Sequence, residues 1–313
     1  MNNFKKIGLT ALAGSLVATS VYAGEMSVAG SASWRISNHA GTDGGKTMAM
    51  GNQLTFTGGG EMDNGMNVAL SFILDQGDNE LVDDESSNAP FDSHSITVSS
   101  DAMGSIKFAG EGASSAQNTL DTTAAGDIWD NTFASYTKPT NADADKVLTW
   151  TLPSVMDGLG VVTSYNMSSA GKEATIGYAL TFTGVEGLSV SYGYGEVGGN
   201  TAGTTGAEVT TMKASFAFGP ITAAMSINDY DITGASNEEQ SSYNISYSIS
   251  DELSVSYGSE THETTGQDTD EEFDQISVSY TTGGLTASVR QTNADNVTGA
   301  TQTEQSQWNV GLS

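Results

Sequence analysis

The chain has 313 residues, with 38 Asp+Glu against 10 Lys+Arg, a formal charge of −28, 37 Gly and no Cys. Such acidity excludes a nucleic-acid partner, because binding phosphates takes a basic stripe. The lack of Cys excludes disulfides, thiolate metal sites and a cysteine nucleophile, and a charged fraction of only 15% is too low for an acidic disordered tail.

Residues 1–23 read as a signal peptide. Lys5 and Lys6 form a positive start, Ile7 to Ala18 an apolar core, and Val21-Tyr22-Ala23 places small residues where a signal peptidase reads. The apolar core is too short for an anchor, since spanning a bilayer takes ~20 apolar residues. Removing the two lysines leaves a formal charge of −30, two below the −28 of the whole chain.

From residue 24 onward no apolar run approaches a transmembrane helix, yet apolar and polar residues alternate almost throughout. Met26, Val28, Ala32, Trp34 and Ile36 share one parity, with Ser27, Ser31, Ser33 and Arg35 between them. The period of two returns through segments such as Val68/Leu70/Phe72, Ile176/Tyr178/Leu180/Phe182, Met212/Ala214/Phe216/Phe218, Tyr243/Ile245/Tyr247 and Trp308/Val310/Leu312. Successive strand side chains point to opposite faces, so each segment is a strand with one apolar and one polar face. With the weaker segment 47–59 there are sixteen predicted strands.

The connections alternate in length. Short joints rich in Gly, Asp and Pro fall at 60–65, 101–104, 153–158, 184–187, 219–220, 250–252 and 281–284. Between them lie longer polar segments at 38–46, 75–92, 111–145, 168–173, 195–207, 229–241, 259–272 and 292–304. A soluble sandwich does not sort its connections this way, whereas an outer-membrane barrel has short periplasmic turns and long external loops. The fold class is therefore all-β, a transmembrane antiparallel barrel occupying residues 24–313.

The ordered whole resembles the Gram-negative outer-membrane general porins, of the alphaproteobacterial kind. Gly104–Glu111 (GSIKFAGE) is similar to the strand that enters the family's long third loop, here 111–145, and VLTWTLPSVMDGLGVVTSYN (147–166) to its paired strands around a Pro-containing turn. The resemblance implies a non-enzymatic, usually trimeric barrel for passive diffusion of small hydrophilic solutes and ions, with the third loop folded inward. Family members usually end in an aromatic residue. Here alternation places the next outward residue at an absent position 314, so either the chain continues past Ser313, the favoured expectation, or its terminal signal differs.

Glu111, Asp121, Asp127 and Asp130, with Trp129 among them, are the candidate acidic side of a constriction. Arg35, Lys107, Lys213 and Arg290 fall on the inward parity and are the candidate basic wall, since a cation on the lipid face at the midplane costs ~2–4 kcal/mol. The overall charge predicts weak cation selectivity. In the outer loops, Asp75/Asp78/Glu80 and Asp268/Asp270/Glu272 are weak candidates for Ca²⁺ or Mg²⁺; diffuse bridging by ions to lipopolysaccharide, or plain solvation, is the favoured reading of these residues. No organic cofactor is expected. The outward Trp34, Trp150 and Trp308 fit an aromatic girdle or a subunit contact.

Two other classes compete. An outer-membrane hydrolase needs a nucleophile beside a base, and nothing near His39, His94 or His262 provides one. A secreted acidic β-rich surface or adhesion protein would lack the short/long alternation.

Overall fold

The computed structural model describes residues 25–40, 45–75, 93–111, 114–126, 128, 142, 146–167, 173–198, 206–232, 237–297 and 304–313; the expected signal peptide lies outside them. Sixteen strands follow in order. The first half comprises β1 (Glu25–Ala40), β2 (Gly45–Glu61), β3 (Asn67–Asp75), β4 (Ser93–Ser100), β5 (Gly104–Glu111), β6 (Val147–Thr151), β7 (Leu159–Asn166) and β8 (Thr175–Val185). The second comprises β9 (Leu188–Val197), β10 (Ala207–Phe218), β11 (Ile221–Ile232), β12 (Glu238–Ser248), β13 (Leu253–Thr264), β14 (Glu271–Thr282), β15 (Leu285–Asp295) and β16 (Gln305–Leu312).

Each strand pairs antiparallel with its sequence neighbours, and β1 pairs with β16 through Trp34↔Leu312 to Ala40↔Ser306, closing the barrel. A barrel has no open edge, which hydrocarbon requires because it offers the backbone no hydrogen-bond partner. The predicted strand number is observed, and a two-sheet sandwich is excluded.

Burial is inverted relative to a soluble protein. The outward parity carries exposed Ile, Val, Leu, Tyr and Phe, with Ile276 at 56% and Phe218 at 74% exposure. The buried side chains of the inward parity are largely polar, among them Thr211, Asn228, Gln240, Ser242, Thr292, Gln307 and Asn309. A soluble protein rarely exposes so continuous an apolar surface. Near the short-turn rim, the outward Trp150 donates its indole N–H to the Met103 carbonyl at 2.9 Å, anchoring one aromatic of the interfacial belt.

All seven short connections sit at one end of the barrel. The outer connections are shorter than the hydrophobic pattern predicts. Segment 259–272 was expected as a loop, but β13 runs to Thr264 and β14 begins at Glu271; 229–241 likewise shrinks to the joint between Ile232 and Glu238. Strand pairing needs only backbone hydrogen bonds, so strands continue past the apolar band into residues that hydropathy reads as loop.

Two short turns show why Gly is required. Gly187 has φ +76, and a Cβ there would lie 2.4 Å from the Ala217 carbonyl oxygen, whereas Gly219, at φ +56, faces open space. A side chain at positive φ costs roughly 1–2 kcal/mol. Gly219→Ala should therefore cost about that much, and Gly187→Ala distinctly more because backbone must also move. Heat-modifiable gel mobility reports this: in a temperature series, Gly187→Ala should reach the unfolded position at a lower temperature than Gly219→Ala.

Candidate functional site: a loop seated on the inner wall

The segment after β5 turns into the barrel and lies along its inner wall from β7 to β15. At its root the Lys146 amide donates to the Gly110 carbonyl. The Ala116 amide donates to Ser164 Oγ of β7 at 2.8 Å, just before a 3-10 turn over Gln117–Thr119.

Gln117 is fully buried. Its Nε2 donates to Thr211 Oγ1 of β10 at 2.8 Å, and Thr211 donates onward to Asn228 Oδ1 of β11 at 2.6 Å. Its Oε1 accepts the Ala142 amide at 2.8 Å, so one side chain ties both limbs of the loop to the wall. Further along, Ser242 Oγ of β12 accepts the Ala124 and Ala125 amides at 3.0 and 2.9 Å and donates to the buried Glu260 of β13. Ile128 then packs with Phe273, Ala294 and Val297 in a small apolar cluster.

Glycine makes room for this track. A Cβ at Gly195 would stand 2.4 Å from Ala142 Cβ, and one at Gly258 would stand 2.7 Å from Ala125 Cβ and 2.9 Å from Ile128 Cδ1. Gly inside a strand weakens it and marks close approach of another backbone. Both lie on the inward parity of β9 and β13. Gly on the polar face of a long strand is the sequence signal for such a seat, and it stands in β9 and β13 alongside the acidic residues.

Of the candidate constriction residues, Asp127 and Asp130 lie outside the described residues, as does Trp129. Glu111 is placed only through its backbone, opposite His94. Asp121 and Lys213 are brought into direct contact as an ion pair, and Lys213 Nζ also donates to the Thr123 carbonyl at 2.7 Å. Asp121 Oδ1 caps the Thr123 amide at 3.0 Å. The pair is therefore a fastening of the loop to β10.

Lys107 and Arg290 are exposed on the inward parity of β5 and β15 and make no ion pair among the described residues. Arg35 stands opposite Gly311 by backbone register. These three occupy β15, β1 and β5, which belong to the arc that the described part of the loop leaves uncovered or reaches only at its end.

For the metal candidates, Asp78 and Glu80 lie outside the described residues and Asp75 is placed by backbone alone. Asp268 and Asp270 stand in the β13–β14 joint, while Glu272 projects outward from β14. Among the described residues no group of three or more His, Asp or Glu converges on a metal position.

A closed barrel with a polar inner face and a loop laid along it is the architecture of a pore-forming outer-membrane protein. The Gram-negative porin family model matches residues 8–313, and the chain belongs to that family. It is a non-enzymatic channel of the bacterial outer membrane for passive diffusion. Among solved structures it is similar to an anion-selective porin from Comamonas acidovorans (TM-score 0.70, 12% identity, covering 92% of this chain and 99% of that one). It is also similar to Salmonella typhi OmpF in complex with daunomycin (TM-score 0.65, 13% identity, 92% and 97% covered). A third similar structure is the trimer form of Vibrio cholerae OmpT (TM-score 0.59, 12% identity, 92% and 98% covered). Identities this low carry the fold. None of the curated proteins matches.

Magnitudes separate the two fastenings. The side chains of Asp121 and Lys213 are 55% and 25% exposed, so their attraction is worth at most about 1 kcal/mol. Stranding buried partners of Gln117 costs about 1–3 kcal/mol each. Gln117→Ala should therefore loosen the loop more than Lys213→Met, seen as greater open-channel current noise in planar bilayers with the barrel's heat-modifiable mobility retained.

Proposed function

We propose that this porin is weakly cation-selective and general for small hydrophilic solutes, with the third loop and the facing wall forming its eyelet. The supporting observation is the disposition of charge. Lys213, one of the four candidate wall cations, is neutralised by Asp121, which leaves Lys107, Arg290 and Arg35 against a strongly acidic molecule. Glu238, Glu260 and Glu271 stand on the inward parity, Glu260 behind the loop through Ser242 and Glu238 and Glu271 on either side of His262, and a lumen of that sign concentrates cations. Asp127, Asp130 and Glu111 join the acidic pole in this reading. The selectivity of the Comamonas protein belongs to its own side chains, since little sequence is shared.

The alphaproteobacterial kind rests on the resemblance of 104–111 and 147–166, and export on a signal peptide over 1–23. Homotrimerisation rests on the family resemblance, beside the trimer form of the similar Vibrio cholerae structure. The outward rim of β9–β15 carries Glu196, Glu208, Asp229, Glu239, Glu263 and Glu272, and like charges resist burial against copies of themselves, which favours the rest of the barrel's circumference for the subunit contact. Divalent cations held by the outer acidic residues are the remaining proposal for Asp268, Asp270 and Glu272.

Reversal potentials across a planar bilayer in a salt gradient test the selectivity. Cation preference is expected at 0.1 M and should fade toward 1 M, where the Debye length drops to ~3 Å. Lys107→Gln and Arg290→Gln should each increase it. Anion preference in the wild type would falsify the reading.

A further inference from the structure

Near the long-connection rim, the inward face of β12–β14 buries a histidine between two carboxylates. His262 of β13 stands directly opposite Gln240 of β12 and Glu271 of β14. His262 is only 3% exposed, and Gln240 and Glu271 are as deeply buried. The ring's Nε2 lies 3.7 Å from the Glu238 carboxylate, and its Nδ1 lies 3.9 Å from that of Glu271. Both contacts are too long for hydrogen bonds, and among the described residues neither ring nitrogen has a hydrogen-bond partner.

These surroundings match an imidazolium. A neutral imidazole carries one donor and one acceptor, whereas the protonated ring has a donor on each nitrogen. Here each nitrogen faces a carboxylate, so only the protonated ring offers a donor to both. Burial opposes charge on a ring, and opposite charges within about 4–6 Å favour it.

The other charged and titratable groups nearby supply no competing cation. Tyr230 of β11 stands opposite Glu238, and Glu260, two residues from His262 on the same face, accepts from Ser242. Asp229, Asp231, Glu239, Glu263, Glu272 and Asp295 point outward, and Asp268 and Asp270 are exposed in the β13–β14 joint. The described part of the loop carries one charged side chain, Asp121, which is bound to Lys213. Arg290 of β15 is opposite Ser277, six residues along β14 from Glu271. No Lys or Arg occurs in β11–β14, so His262 is the one side chain of these four strands able to place a positive charge between the carboxylates.

The same strands hold the far end of the third loop. Phe273, two residues from Glu271 on the same face of β14, packs with Ile128. Gly258, four residues from His262 on β13, leaves the space that Ala125 and Ile128 occupy. Ionised carboxylates repel one another across a neutral ring and are drawn together by a charged one, so the state of His262 acts on the strands that form this seat.

We propose that His262 is a proton-operated clamp on the third loop. Protonated, it bridges Glu238 and Glu271 across three strands and firms the seat of Ala124, Ala125 and Ile128; neutral, it releases both carboxylates. The clamp concerns how the loop is held and does not depend on which ion the pore prefers.

Hydrogen exchange of the full-length protein folded in detergent tests this, with rates corrected for the intrinsic pH dependence of amides. The range is about pH 8 to 5, where histidine changes charge. As pH falls, protection of the Ala124 and Ala125 amides, held by Ser242, should rise relative to that of the Ala116 amide, held by Ser164. His262→Gln should lose this rise, as should Glu238→Gln/Glu271→Gln, in which the ring has no charge to bridge. His39→Gln and His94→Gln, which remove the other two histidines, should keep it. In planar bilayers, wild-type open-channel noise should fall over the same range, and His262→Gln should lose that fall. A wild-type protection ratio that stays level or drops overturns the proposal, as does a rise that survives in His262→Gln or in the double variant. The wild-type comparison needs no substitution, so it decides the matter even where a variant fails to show the folded, heat-modifiable gel position.

Discussion

Hydrocarbon offers no hydrogen-bond partner to a peptide group, and the architecture follows from that constraint. A chain that crosses the membrane in strands must pair every strand on both sides, so the sheet closes through β1 and β16. Closure around water then divides each strand into a lipid face and a lumen face. The inverted burial, with Ile276 and Phe218 outside and Gln117, Thr211 and Asn228 inside, is that division seen residue by residue. Short turns at one rim and longer joints at the other complete it.

Within the closed wall, a flat polar surface becomes a seat only where backbone can approach it. Gly195 and Gly258 remove side chains from the inward face, and the third loop settles there with Ala142, Ala125 and Ile128 in the vacated space. Hydrogen bonds from Gln117 and to Ser242 then hold it. These neutral, buried contacts outweigh the exposed Asp121–Lys213 pair, and they draw the loop toward one arc of the wall. On the arc that the described part of the loop leaves uncovered, Lys107 and Arg290 make no ion pair among the described residues. Fold and electrostatics thus meet in one feature: where the loop lies decides which charges are left to act on a passing ion.

Strand number, closure and the sidedness of the connections were legible because each depends on a pattern of period two that a lipid-facing strand must keep. Strand ends were not. Glu239, Glu263 and Glu272 read as loop by composition, yet they continue the pleat above the apolar band, where alternation carries no hydrophobic mark. The candidate site was legible in part. Parity placed Lys107, Lys213 and Arg290 on the lumen side, but no local pattern distinguishes a cation left free from one bound to a loop residue 92 positions away, as Lys213 is to Asp121.

The amino-acid sequence by itself determined the barrel, its inside and outside, and the excess of negative charge, because these depend on residue type and on spacing along one strand. Only the tertiary structure decided where the third loop rests, which ion pair is consumed in holding it, and that His262 stands between Glu238 and Glu271. Those features arise from register between strands and from contacts across the lumen. Neighbours of that kind are set by closure of the whole sheet and leave no trace in the order of residues along any single strand.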